Sequence, residues 1–248
     1  SRDNLRQAVS DAITLTASLG TLDLDHDGTP DLDTTQVRLA GISLGSIVGG
    51  TFMGVNTSIG AATLAVPGGG VAKLLDASKT FGPRISAGLA ASGVVEGTDT
   101  YETFLRFAQQ LVDAGDPINY ATAARANHPL HLIEVVNDTV VPNTAKAGPA
   151  TATQDLVTVS SFLAGTDPYV ANLGLDVIGP LTPPVASASV KTGAKLGVAT
   201  VFAIGKHASL LDPSGGAANA AVTQEMQRET ANFLKSNGQC LPVGGNCQ

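Results

Sequence analysis

The first stretch of this sequence with chemistry in it is a serine held between two glycines, Gly41-Ile-Ser43-Leu-Gly45. That spacing suits a sharp strand-to-helix turn that lifts a hydroxyl clear of a sheet, with glycines where side chains would collide. The motif alone is weak: a chain of this composition yields about 0.2 such matches by chance. Its placement strengthens it, because residues 36–42 predict a short strand and residues 44–53 a helix.

A serine hydroxyl is a poor nucleophile near neutral pH and needs an imidazole base, itself oriented by a carboxylate. Four histidines are available. His26 sits in an acidic loop, and His128 and His131 flank the start of a strand predicted at 131–136. His207 follows the last predicted strand, 197–204, where a ring can project over the carboxyl edge of a sheet. Without the serine turn it would be a surface histidine; with it, His207 is the expected base. Asp138 leaves the 131–136 strand at its end and is the expected acid. Glu134, mid-strand, and Asp167, in a Gly-Thr-Asp-Pro turn, are the alternatives. The chain order Ser43, Asp138, His207 recurs in one large class of serine hydrolases. The backbone N–H of Leu44, just after the serine at a helix start, is the natural first oxyanion donor.

A second cluster lies just upstream. Asp23, Asp25, Asp27, Asp31 and Asp33 place five carboxylates in eleven residues around Gly28. Oxygen ligands converging on one point suit a hard cation, so the loop is expected to bind a structural Ca²⁺ ahead of the serine strand. The bidentate Glu of an EF-hand is absent, since Thr34 stands at the twelfth position. The alternative is a solvated acidic loop.

These groups need elements to hold them. A first helix, capped by Ser1, runs to Gly20 on the spacing of Leu5, Val9, Ala12 and Ile13. A cleaner helix starts near Asp99, with Tyr101, Phe104, Leu105, Ala108, Leu111 and Val112 on one face and Asp99 with Glu102 as a capping box. Residues 150–195 are weakly patterned, and a last helix spans 217–236. The expected architecture is α/β: a mostly parallel sheet flanked by helices, with residues 1–53 and 128–248 as its core and 54–127 as a helical cap or lid. Only one helix and one loop precede the serine strand. Further strands, and the second oxyanion donor, are therefore expected on an N-terminal companion segment.

Composition narrows the partners. A net charge of −7 with no basic stripe argues against nucleic acid. Residues 39–72 carry no charge, but their glycines and Pro67 suit buried elements better than a membrane span. The two cysteines, Cys240 and Cys247, enclose a turn-forming sequence and are expected to pair, which suits an oxidising compartment.

The combination also resembles a known family. The acidic loop leads directly into the serine motif. It is followed by Val66-Pro-Gly-Gly-Gly70-Val-Ala-Lys-Leu-Leu, Phe81-Gly-Pro-Arg-Ile85, Val112-Asp-Ala-Gly-Asp-Pro-Ile-Asn-Tyr120 and Gly205-Lys-His207-Ala-Ser-Leu-Leu211. Together these are similar to the bacterial extracellular (virulence-factor) lipases. The resemblance implies an α/β-hydrolase fold, hydrolysis of carboxylic esters or lipids outside the cytoplasm, Ser43 as nucleophile and His207 as base, with no organic cofactor. Two other expectations stand beside it: another acyl hydrolase (polyesterase, thioesterase or peptidase), or a catalytically silent, calcium-stabilised binding domain.

Overall fold

In the computed structural model, which describes residues 2–145 and 164–247, the elements alternate in the way a parallel sheet requires. Helix α1 (Arg2–Ser18) leads through the acidic loop to β1 (Leu39–Ile42) and α2 (Leu44–Val55). Strand β2 (Ala62–Ala65) follows, then helices α3 (Val71–Ala77), α4 (Gly82–Ala90), α5 (Asp99–Val112) and α6 (Ala121–Asn127). The second half holds β3 (Leu130–Val135), α7 (Thr166–Leu173), β4 (Asp176–Leu181), β5 (Ser189–Thr192), β6 (Gly197–Phe202), α8 (Ala217–Lys235) and β7 (Cys240–Val243).

Five strands form one sheet in the order β1-β2-β3-β6-β4, every neighbouring pair parallel. Such sheets are buried on both faces, so their strands are apolar throughout rather than alternating. β2 and β3 are fully buried along their length. On one face Leu64, Leu132 and Ala199 pack with Phe52, Met53 and Tyr169 of α2 and α7. On the other, Ala65, Ile133 and Phe202 pack with Val222 and Met226 of α8. All the carboxyl ends point the same way, which gathers the loops after β1, β2, β3 and β6 along one rim.

The second layer also carries a polar chain. His131 and Glu229 are both fully buried. Thr63 Oγ1 lies 3.3 Å from His131 Nδ1, His131 Nε2 lies 3.0 Å from Thr200 Oγ1, and Thr200 Oγ1 donates to Glu229 Oε2 at 2.8 Å. A neutral imidazole that accepts at Nδ1 and donates at Nε2 satisfies every link. His131 is therefore a core histidine. Burial pushes its pKa down to about 3 and that of Glu229 up to about 8.

Three expectations change. β2 lies inside 54–127 yet sits between β1 and β3 in the sheet, and Ala121 and Ala124 of α6 belong to the core, so that range is not a helical cap throughout. Its short Ala-Thr-Leu-Ala run, ringed by small residues, has too little pattern to stand out as a strand. The cap of α5 is Thr98, whose hydroxyl accepts from the Tyr101 N–H at 3.3 Å. The apolar face of α5 is also divided: Tyr101 and Leu105 are buried against the rest of the protein, while Phe104, Phe107 and Leu111 face solvent. At the other end the cysteines do pair, and Cys240 opens β7, which runs antiparallel to β5. Ser1 and residues 146–163 lie outside the described residues. Among the described residues no helix is long and apolar enough to cross a membrane.

Candidate active site

Ser43 stands at the junction of β1 and α2 with φ 54° and ψ −122°, a conformation that non-glycine residues rarely adopt. The turn is held from both sides: the Ser43 N–H donates to Ala65 O at 2.9 Å, and Ser46 Oγ donates to the same carbonyl at 2.8 Å. The two flanking glycines differ in role. A Cβ on Gly41 would lie 2.8 Å from the Gly45 carbonyl oxygen, whereas one on Gly45 would meet nothing within 4 Å. Ser43 itself is half-buried, and its hydroxyl has no hydrogen-bond partner among the described residues. Leu44 opens α2, so its N–H has no partner within the helix. The next loop repeats the strain: Val66, directly after β2, has φ 46°, an outlier for a β-branched side chain and one that recurs at functional sites.

The acid loop leaves β3 through Asn137, which has φ 61°. Asp138 is buried, and its Oδ1 accepts the N–H groups of Val140 at 2.8 Å and Val141 at 3.1 Å. Its Oδ2 lies 2.7 Å from His207 Nδ1. His207 comes from the loop after β6, which enters at Gly205 with φ 134°. That loop is tied to α8: Ser209 Oγ accepts the Lys206 N–H and donates to Asn219 Oδ1, and Asn219 Nδ2 donates to the carbonyls of Asp212 and Ser214. With Nδ1–H donating to Asp138, Nε2 of His207 is left as the basic nitrogen.

The structure thus joins Asp138 to His207 and carries Ser43 on the same rim, two strands from the acid, without a hydrogen bond between the serine hydroxyl and the imidazole. In the absence of substrate such contacts are often long. The other carboxylates go elsewhere. Glu134 is buried on the face of β3 toward α7, against Asp167 and Asn143, and burial with the neighbouring Asp167 pushes its pKa up to about 8. His128 is buried, with its ring nitrogens 3.1 Å and 2.7 Å from the carbonyls of Gly60 and Asn56. His26 stays in the acidic loop with φ 64°. A cavity of about 780 Å³ opens beside the acid loop, with Asn137, Asp138, Asn143, Lys73 and Lys79 among its walls.

In the acidic loop, Asp23, Asp25 and Asp27 bring one oxygen each to within 4.8 Å of one another. All five also accept hydrogen bonds from the loop itself: Asp31 Oδ2 accepts the Leu24 N–H, and Asp27 Oδ1 and Asp33 Oδ1 accept the N–H and hydroxyl of Thr29 and Thr35. Of the five carboxylates, Asp23, Asp25 and Asp27 are the three that converge.

Sequence pattern did not single out Asn143 or the Ser209–Asn219 brace. Asn143 follows Pro142 in the acid loop, and an amide five residues after a strand-end aspartate was its one signal.

No family model matches this chain, and no curated protein matches it. Solved structures similar to it include a puromycin-hydrolysing peptidase of Mycobacterium tuberculosis, at 14% identity and TM-score 0.48 over 92% of this chain. A protein described as a dienelactone hydrolase from Klebsiella pneumoniae is similar at 12% identity and TM-score 0.46 over 93% of this chain. An esterase of Pyrococcus furiosus is similar at 15% identity and TM-score 0.34 over 78%. The chain spans 25% of the peptidase, 61% of the Klebsiella protein and 53% of the esterase. Such distant likenesses carry nothing about chemistry. The chain's own geometry, a parallel sheet with a serine turn after one strand and the acid and histidine after later ones, is that of an α/β-hydrolase fold.

Proposed function

We propose that this chain carries the catalytic centre of a secreted serine hydrolase that cleaves carboxylic esters, in the manner of a lipase or carboxylesterase. The observation that supports it most is the 2.7 Å contact between Asp138 and His207 on the rim that also bears Ser43 in its strained turn. Ser43 attacks the ester carbonyl while His207 Nε2 takes its proton. The alkoxide leaves as alcohol with that proton, and water then releases the acid from the acyl-serine. Asp138 holds the ring in the tautomer with Nδ1–H and stabilises the imidazolium. The Leu44 N–H donates to the oxyanion from the start of α2, where the helix dipole adds to it. Secretion is supported by the Cys240–Cys247 disulfide, which persists in an oxidising compartment.

Labelling with a fluorophosphonate probe tests this reading: the wild-type chain is expected to label and Ser43→Ala to stay blank. A wild-type chain that resists the probe removes it. Turnover of nitrophenyl esters of increasing chain length, beside a triglyceride emulsion, separates esterase from lipase.

Ca²⁺ at Asp23, Asp25 and Asp27 is the second part of the proposal. Their clustered oxygens suit a hard cation whose role is structural, at the connection that delivers β1. A chelator is expected to lower the melting temperature, with recovery on adding Ca²⁺; an identical melting curve in both conditions rejects the site.

A further inference from the structure

Asn143 closes a ring around Asp138. Its Oδ1 accepts the Asn137 N–H at 2.8 Å, and its Nδ2 donates to Val135 O at 2.9 Å and to Glu134 Oε1 at 2.8 Å. The chain just before the acid is thereby pinned to a side chain that follows it by five residues. Only an amide does this, since it presents an acceptor toward the N–H and donors toward the two oxygens. Behind Asn143 the carboxyl of Glu134 meets that of Asp167, which also accepts from Thr144 Oγ1 at 2.7 Å. The backbone completes the clamp, because Asn143 O accepts the Asp167 N–H at 2.8 Å.

We infer that Asn143, backed by the Glu134–Asp167 carboxyl pair, is a positioning residue that sets the Asp138 carboxylate against His207. The inference rests on the proposed roles of Ser43, Asp138 and His207. The groups around the pair are few. Asp167 on α7 is the ionisable neighbour, Val201 faces Glu134 from β6, and Val170 lines the same cavity from α7. Lys73 and Lys79 lie across the other cavity, which Asn143 and Thr144 also line. With Glu134 protonated, its O–H donates to Asp167 and the clamp is closed. Loss of that proton sets two carboxylates against each other behind Asn143 and weakens the clamp.

Three measurements on the whole chain test this. Asn143→Ala is expected to lower kcat for a nitrophenyl ester by about 10- to 100-fold while KM changes little, since small misplacements of a catalytic group cost that much. The downfield proton resonance of His207 Nδ1–H is expected to shift or broaden in that variant. In wild type, kcat is expected to fall as pH rises through about 8. Glu134→Gln keeps an acceptor for Asn143 and a donor for Asp167, and is expected to lose that fall. Unchanged kcat and resonance in Asn143→Ala, or an unchanged pH profile in Glu134→Gln, overturns the inference. If no form turns over ester but the resonance still responds to Asn143→Ala, the hydrolase reading fails and the positioning of the acid stands. Should Asn143→Ala fail to fold, the Glu134→Gln profile decides.

Discussion

Asp138 receives two backbone N–H bonds on one oxygen and the imidazole on the other. The carboxylate is therefore held on both oxygens, and in the proposed reaction its work is to select a tautomer. Asp138→Asn can place a donor where an acceptor is needed, so the ring carries its proton on Nε2 and cannot take the one on the serine. Its kcat is expected to fall by about 10⁴ with the fold retained; a loss under tenfold in steady-state kinetics would move the acid role to another residue. Glu134, weighed against Asp138 on sequence, is distinguished by depth. It points into the layer beneath α7 and makes no hydrogen bond to the histidine. Residue types and chain order made Ser43, Asp138 and His207 legible. Asn143 stayed hidden because a clamp is defined by what its amide touches, and those partners are Val135, Asn137 and Glu134 rather than a spaced motif.

At the scale of elements, the turn between β1 and α2 makes the two motif glycines unequal. A methyl on Gly41 meets backbone that cannot yield, the Gly45 carbonyl at 2.8 Å. Gly41→Ala is expected to cost about 1–3 kcal/mol in stability, as overpacking does, and to abolish probe labelling. Gly45 faces open space inside the first turn of α2. Gly45→Ala is expected to fold as well as wild type or to gain up to about 1 kcal/mol from helix propensity. Denaturant melts of the pair check the contrast. The motif treats these glycines alike; only the backbone path tells them apart. β2 teaches the same lesson: four small or mid-sized residues become a central strand because β1 and β3 lie on either side.

For the whole molecule, stability should depend on pH through carboxyls and a histidine held in buried layers. Glu229 and Glu134 have folded pKa values raised to about 8 by burial. Each favours the folded state fully below the ordinary carboxyl value, and that contribution is lost as pH rises through about 8. His131 works in the opposite sense. Its pKa is lowered to about 3 by burial, so its contribution is present above the ordinary imidazole value and lost as pH falls toward about 3. The melting temperature is accordingly expected to decline from about pH 6.5 to about pH 9, and less steeply in Glu229→Gln. Parallel curves for the two proteins would show that Glu229 is already ionised in its layer.

By itself the sequence determined the α/β class, the strand and helix around Ser43, the pairing of Cys240 with Cys247 and the candidates for the acid and the base. These follow from local periodicity, turn chemistry and residue type, which need no knowledge of distant chain. Tertiary structure alone decided that β2 is core, that Asp138 rather than Glu134 meets His207, that Asp23, Asp25 and Asp27 converge, and that Asn143 ties down the chain before Asp138. Each of these depends on contacts between segments, or on the fold of a loop, and a parallel sheet builds its rim from strands that are far apart in the chain.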